Sequence, residues 1–255
     1  MNKAFVNGIS LAYHRRGKGL PLVLVHGFPL DHTTWTELAP HLEADFDLIL
    51  PDLRGFGQSD APEGAYTVEQ MAADLAGLLN KLGLERAFFV GHSMGGYVSL
   101  AFARQFGQRL LGLGLLGSQA AADAPEKKAG RYEAAAQVLL HGADQQVGMA
   151  EKLSADPDNI LFFREIILRQ NPVGMSGALK AMAERPDSLS LLASLTCPVV
   201  LVHGLDDVLI PVERAREMKS VLAAARLLEL PEVGHSPALE APAATAKALK
   251  SAFGV

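Results

Sequence analysis

Apolar and polar positions follow two patterns that alternate along the chain. Runs that are apolar at consecutive positions predict strands buried on both faces, which are typical of parallel sheets covered by helices. Segments with apolar residues three and four positions apart predict helices. The predicted strands are residues 22–26, 46–50, 88–90, 110–116 and 199–202. The predicted helices are residues 33–42, 68–82, 94–106, 212–222 and 237–253. This alternation indicates right-handed βαβ units and an α/β fold.

Local signals fix the ends of some elements. Residues 3–7 and 9–15 predict an antiparallel hairpin, because Asn7-Gly8 between them suits a tight turn. Thr67, followed three residues later by Gln70, predicts a capping box at the start of helix 68–82.

Residues 119–190 break the alternation. The segment is alanine-rich and helix-like, glycine and proline interrupt it, and it has no strand pattern. We therefore predict a helical lid inserted into one α/β core, which comprises residues 1–118 and 191–255. The lid is expected to be part of this single domain rather than a second domain.

Bulk composition excludes several classes of function. A net charge of −5 gives no reason to expect nucleic acid or an anionic membrane as a partner. A single cysteine, Cys197, cannot form an intrachain disulfide, and no long apolar core resembles a signal peptide or a membrane span. These features predict a cytoplasmic protein, either a monomer or a homodimer.

The most informative chemistry lies in Gly91-His92-Ser93-Met94-Gly95, between a predicted strand and a predicted helix. A sharp strand-to-helix turn exposes a serine at its apex, and the flanking glycines avoid clashes that a Cβ would cause. Ser93 is therefore predicted to be a nucleophile. The following helix directs its N-terminus at the developing oxyanion.

A serine nucleophile needs a base and an orienting carboxylate, and on such a sheet these follow in the order acid, then histidine. Gly204-Leu205-Asp206-Asp207 and Gly234-His235 each follow a strand-like run. His235 is thus the predicted base, and Asp206 and Asp207 are both candidates for the acid. The turn at His26-Gly27-Phe28-Pro29 predicts that the N–H groups of Phe28 and Met94 form an oxyanion hole.

These motifs, together with Asp52-Leu53-Arg54-Gly55-Phe56-Gly57, resemble the α/β-hydrolase superfamily across nearly the whole chain. The resemblance implies a mostly parallel eight-stranded sheet flanked by helices, with the lid after the sixth strand. It also implies Asp207 as the acid. The sequence is most similar to small carboxylesterases and 3-oxoadipate enol-lactonases, and also to perhydrolases and carbon–carbon bond hydrolases. Epoxide hydrolases and haloalkane dehalogenases share some motifs but use an aspartate where this chain has Ser93.

Other histidines and glycine-rich stretches are expected to be structural. His26, His92 and His203 are predicted to brace loops. Gly112, Gly114 and Gly117 form a G-x-G-x-x-G pattern, which in other proteins can bind a dinucleotide. Here the pattern lies inside a strand-like run rather than between a strand and a helix, so we expect no dinucleotide site. The chain has no zinc-protease motif and no paired cysteines, so we expect neither a metal nor a cofactor.

The expected activity is hydrolysis of a small carboxylic ester, with Trp35, Phe162 and Phe163 proposed to line the substrate pocket. A lactonase or carbon–carbon hydrolase is an alternative, and it would need an arginine in the pocket, for which the lid offers Arg131, Arg164 and Arg169. A ligand receptor that keeps the fold without turnover is an alternative of another class.

Overall fold

A computed structural model describes residues 1–222 and 224–255. In this part of the chain, eight strands form one sheet in the order β1-β2-β4-β3-β5-β6-β7-β8. Pairs β1–β2 and β2–β4 are antiparallel, and the remaining pairs are parallel. The strands are β1 Asn2–Val6, β2 Ile9–Gly17, β3 Leu20–Val25, β4 Phe46–Pro51, β5 Ala87–His92, β6 Leu110–Leu116, β7 Val199–Gly204 and β8 Arg226–Leu230. The predicted mostly parallel eight-stranded sheet is confirmed.

Helices cover the sheet and also fill the interval between β6 and β7. The helices are α1 Val68–Lys81, α2 Met94–Phe106, α3 Pro125–His141, α4 Ala150–Leu153, α5 Pro157–Leu168, α6 Pro172–Glu184, α7 Leu189–Ala193, α8 Glu213–Val221, α9 Pro237–Glu240 and α10 Pro242–Phe253. Helices α3 to α7 form what we call the helical insertion, and within residues 117–198, all of them described, there is no strand.

The two faces of the sheet carry separate apolar cores, as strands buried on both faces require. In β3, Leu22 and Leu24 pack in one core, whereas Val23 and Val25 pack in the other. The alternation follows from the two-residue period of a strand. The predicted capping box is also present, with reciprocal hydrogen bonds between Thr67 and Gln70.

Two predicted helices differ from the structure because of proline. Residues 33–42 form two short 3₁₀ segments, His32–Trp35 and Ala39–His41, because Pro40 lacks the N–H that a continuous helix requires. The helix predicted over 237–253 is divided at Ala241, whose φ of −139° is not helical, and α10 restarts at Pro242.

The helical insertion is fastened to the rest of the fold by polar contacts near the end of α5. Arg169 Nε donates to Asp31 Oδ2 at 2.9 Å. The side chain of Gln170 accepts from the Gly57 N–H at 2.9 Å and donates to Asp31. These contacts hold the insertion against the loops that follow β3 and β4.

Candidate active site

Ser93 occupies the sharp turn between β5 and α2. Its φ of 51° and ψ of −116° lie in a region that residues with a side chain rarely adopt, at a cost of about 1–3 kcal/mol. The Ser93 N–H donates to the Leu116 carbonyl at 2.9 Å, and the Ser118 hydroxyl donates to the Ser93 carbonyl at 2.9 Å. The surrounding structure thus maintains the strained turn that presents the hydroxyl.

The flanking glycines are required by close backbone approaches. A Cβ on Gly91 would lie 2.3 Å from the Gly95 carbonyl oxygen, and a Cβ on Gly95 would lie 2.0 Å from the Val25 carbonyl oxygen. Both distances are far inside van der Waals contact, so the predicted clashes at the two positions are confirmed.

Asp207 and His235 are brought together by the loops after β7 and β8. His235 Nδ1 lies 2.7 Å from Asp207 Oδ2. A carboxylate only accepts, so Nδ1 carries the proton and Nε2 is left as the basic nitrogen. Asp206 is exposed, and its side chain takes no part in this contact. Of the two adjacent aspartates, the structure therefore pairs Asp207 with His235.

The Asp207 carboxylate is fully paired although it is buried. Its Oδ1 accepts from the Leu209 and Ile210 N–H groups, each at 2.9 Å. His203 Nε2, which donates to the Ile210 carbonyl at 2.7 Å, lies 3.2 Å from Oδ2. Burial raises the pKa of Asp207, but hydrogen bonds from His203 and His235 outweigh burial and hold the pKa well below its ordinary range. The carboxylate is consequently ionised at neutral pH.

His26 and His92 brace the site from within the core. His92 Nε2 donates to the His235 carbonyl at 2.9 Å, so it supports the backbone of the predicted base. Burial and the neighbouring His235 lower the pKa of His92 to about 3, which keeps its ring neutral. His26 Nδ1 donates to the Gly27 carbonyl, and its Nε2 accepts from the Leu53 N–H. These contacts agree with bracing roles for both histidines.

The predicted oxyanion donors lie on either side of Ser93. A Cβ on Gly27 would be only 3.1 Å from Ser93 Cβ, so the loop that carries Phe28 passes directly beside the serine. Met94 is the first residue of α2. Within residues 1–222 and 224–255, neither the Phe28 nor the Met94 N–H donates to a protein acceptor. Both N–H groups are therefore without a protein acceptor, as the predicted oxyanion hole requires.

Ser93 and His235 open into one cavity of about 140 Å³. The core side is formed by Phe28, Ser93, Tyr97, Leu209, Ile210 and His235. The helical insertion contributes Lys127, Arg131, Met149 and Met182. The insertion thus forms part of the wall of the cavity that Ser93 lines.

The aromatic side chains predicted to line this pocket lie elsewhere. Trp35 is fully buried in the core on one face of the sheet, where its ring meets His92 edge-on. Phe163 is fully buried in the opposite core, and Phe162 packs against that core. The prediction that Trp35, Phe162 and Phe163 line this cavity is therefore wrong.

The lining residues that the sequence did not indicate are Lys127, Tyr97, Met182, Leu209 and Ile210. Lys127 and Arg131 could have been noticed as a pair, since residues four apart share one face of a helix. Of the other arginines considered, Arg164 pairs with Glu151 and Arg169 pairs with Asp31, and neither lines the cavity.

One group of possible metal ligands occurs in the described part of the chain, formed by Asp31, His32 and Asp52. Their ligand atoms lie within 4.8 Å of one another. Asp31 is already bonded to Arg169, and Asp52 accepts from both the backbone and the ring of His32. These contacts account for the cluster through protein groups alone.

No helix in the described ranges is long and apolar enough to cross a bilayer.

Comparison with known proteins adds a family and several structural relatives. A family model for the alpha/beta hydrolase fold matches residues 21–242. The structure of a thermophilic esterase from Thermogutta terrifontis with malate bound is similar, with 40% sequence identity and a TM-score of 0.93 over 98% of this chain and 95% of that one. The enol-lactonase from Burkholderia xenovorans LB400 is 25% identical, with a TM-score of 0.91 over 100% of both chains.

Among curated sequences, a 2-hydroxy-6-oxo-2,4-heptadienoate hydrolase from Pseudomonas putida is 30% identical over 89% of this chain and 87% of its own length. For two other curated relatives, the matched region covers only 40% of this chain. It covers 36% of the length of one relative and 30% of the length of the other. The resemblance to esterases and enol-lactonases predicted from the motifs is confirmed.

Proposed function

The chain belongs to the alpha/beta hydrolase fold family, and we propose that it is a serine hydrolase that cleaves small carboxylic esters through an acyl-enzyme intermediate. One observation carries the proposal: Ser93, on its strained turn, shares a cavity with His235, whose Nδ1 is bonded to the buried Asp207. A serine hydrolase needs these groups, namely a hydroxyl that lines a cavity, an imidazole whose second nitrogen can act as a base, and an orienting carboxylate.

The reaction begins when Ser93 Oγ attacks the acyl carbon and His235 Nε2 takes the hydroxyl proton. Asp207 stabilises the imidazolium that results and keeps the proton on Nδ1 in the resting state. The Phe28 and Met94 N–H groups bind the negative oxygen of the tetrahedral intermediate. His235 then protonates the leaving alcohol, and a water molecule attacks the acyl-enzyme by the same route, which releases the acid and restores Ser93.

A panel of 4-nitrophenyl esters with purified wild-type protein and Ser93→Ala tests the proposal. We expect turnover by the wild type and loss of nearly all of it in Ser93→Ala, because the remaining groups offer no nucleophile. Ser220→Ala, at an exposed position on α8, is the matched control and should keep full activity. Equal activity in Ser93→Ala and the wild type would refute the proposed nucleophile.

A second candidate is a lactonase or carbon–carbon bond hydrolase that uses the same three residues. Arg131 favours it, because an arginine in the pocket is the feature that such an enzyme would need for a substrate carrying a carboxylate. Rates for simple esters, enol-lactones and vinylogous diketones, measured side by side, distinguish the two candidates. A kcat/KM for a lactone or diketone far above that for every ester would favour the second, and peracid formation would indicate the perhydrolase alternative.

A further inference from the structure

The wall that the helical insertion contributes to the cavity carries positive charge. Lys127 and Arg131 lie four residues apart on α3 and both line the cavity that contains Ser93 and His235. No aspartate or glutamate is among the described residues that line it. The polar part of this wall is therefore cationic.

The carboxylate that contacts Arg131 does not balance the charge of both cations. Asp123, whose side chain is fully buried, binds Arg131 through one oxygen and Arg185 through the other, the latter at 2.9 Å. Burial raises the pKa of Asp123, but its hydrogen bonds to Arg185 and Arg131 outweigh burial and lower it, so this carboxylate is ionised. Lys127 adds a third cation. Asp123 thus pairs with Arg131 and Arg185 but forms no salt bridge with Lys127.

The surroundings of Lys127 disfavour its positive charge. It lies in the first turn of α3, where the helix dipole repels positive charge. Burial by the surrounding protein and the adjacent Arg131 lower the pKa of Lys127, although the residue as a whole remains exposed. Among residues 1–222 and 224–255, no carboxylate forms a salt bridge with it. A bound anion would offset the repulsion from the helix dipole and from Arg131, and it would supply the ion-pair partner that Lys127 lacks.

We propose that Lys127 and Arg131 bind a free carboxylate of the substrate, so that this hydrolase acts on small anionic esters or lactones. The inference rests on the proposed function, since it places the carboxylate relative to an acyl group attacked by Ser93. Arg131 has N–H groups to spare, because only its Nε is bonded to Asp123 and its Nη1 contacts Met182 Sδ at 3.4 Å. Asp123 and Arg185 hold the Arg131 guanidinium in place.

Two matched pairs of substrates test the proposal and show which side of the ester carries the charge. For the acyl side, kcat/KM for 4-nitrophenyl hemiglutarate is compared with that for 4-nitrophenyl pentanoate, after subtraction of spontaneous hydrolysis. For the alcohol side, acetoxyacetate is compared with isobutyl acetate in a pH-stat. We expect the wild type to prefer the anionic member of at least one pair.

Three variants locate the origin of that preference. Lys127→Met should lower the anionic-to-neutral ratio of kcat/KM by roughly ten- to a hundredfold, the range of a hydrogen bond to a charged group. Lys127→Arg should retain most of the ratio. Lys128→Met is the matched control, because the neighbouring Lys128 is bonded to Glu184 at 2.7 Å, outside the cavity, and its loss should leave the ratio unchanged.

A binding measurement separates failure of this subsite from failure of the proposed chemistry. Glutarate is titrated calorimetrically into Ser93→Ala and into Ser93→Ala carrying Lys127→Met, with pentanoate as the monocarboxylate reference. We expect glutarate to bind more tightly than pentanoate, and Lys127→Met to weaken glutarate binding about tenfold or more. Equal glutarate binding in the two proteins, no anionic preference in either substrate pair, or an equal effect of Lys128→Met would overturn the subsite. Activity retained by Ser93→Ala would instead refute the nucleophile.

Discussion

Replacing Asp207 by asparagine should nearly abolish activity, and the structure shows how. The Leu209 and Ile210 N–H groups both donate to Oδ1, so the amide of an asparagine would turn its oxygen towards them. Its NH₂ group would then face His235 Nδ1, 2.7 Å from the present Oδ2. Since an NH₂ group donates, Nδ1 would become the acceptor and the proton would move to Nε2. An imidazole in that tautomer cannot take the proton of Ser93.

The expected loss is large because the wrong tautomer must be reversed in every turnover. In serine proteases, the same exchange lowers kcat by ~10⁴, which corresponds to about 5 kcal/mol of transition-state stabilisation. The loss is measured as the steady-state kcat for 4-nitrophenyl acetate at pH 7.5, and circular dichroism verifies that the variant is folded. The matched control is Asp206→Asn, at the exposed neighbouring position, which should lower kcat less than threefold. A deeper loss in Asp206→Asn than in Asp207→Asn would refute the reasoning.

Two further predictions concern stability and pocket size. His92 has a pKa of about 3 in the fold but about 6.5 when unfolded, so stability is retained above pH 6.5 and lost as the pH falls towards 3. In His92→Gln, the slope of the free energy of unfolding between pH 4 and 6, from urea titrations, should decrease by about 1.4 kcal/mol per pH unit; an unchanged slope would contradict the buried neutral ring. Across 4-nitrophenyl esters from acetyl to dodecanoyl, each added methylene should stabilise the transition state by up to ~0.8 kcal/mol, which raises kcat/KM roughly fourfold. The value of kcat/KM should peak at or below hexanoyl and then fall, because the cavity of about 140 Å³ is full. A maximum at dodecanoyl would contradict the account of the cavity.

The parts of the fold that local sequence determines were predictable. The hairpin turns where Asn7 and Gly8 adopt positive φ, and the capping box of α1 forms between the predicted pair. The Ser93 turn was predictable for the same reason, since the glycines that permit it lie within two residues of the serine. In these cases, the residues that dictate the structure are neighbours in the chain.

The composition of the pocket could not be predicted in the same way. The apolar pattern does not distinguish an aromatic side chain in the core, as Trp35 and Phe163 are, from one that lines a pocket. The orientation of the helical insertion depends on contacts between distant residues, such as Arg169 with Asp31 and Tyr66 with the Gly174 carbonyl at 2.6 Å. With the insertion held in this orientation, Lys127 and Arg131 line the cavity, whereas Trp35, Phe162 and Phe163 do not.

The most direct test of the central claim is to trap the nucleophile. The wild-type protein and Ser93→Ala are incubated with a fluorophosphonate, and intact mass and peptide mapping by mass spectrometry identify the modified residue. The account predicts a single adduct, on Ser93, that forms in step with loss of esterase activity, and no adduct in Ser93→Ala. An adduct on another residue, or ester hydrolysis that persists in fully labelled protein, would contradict it.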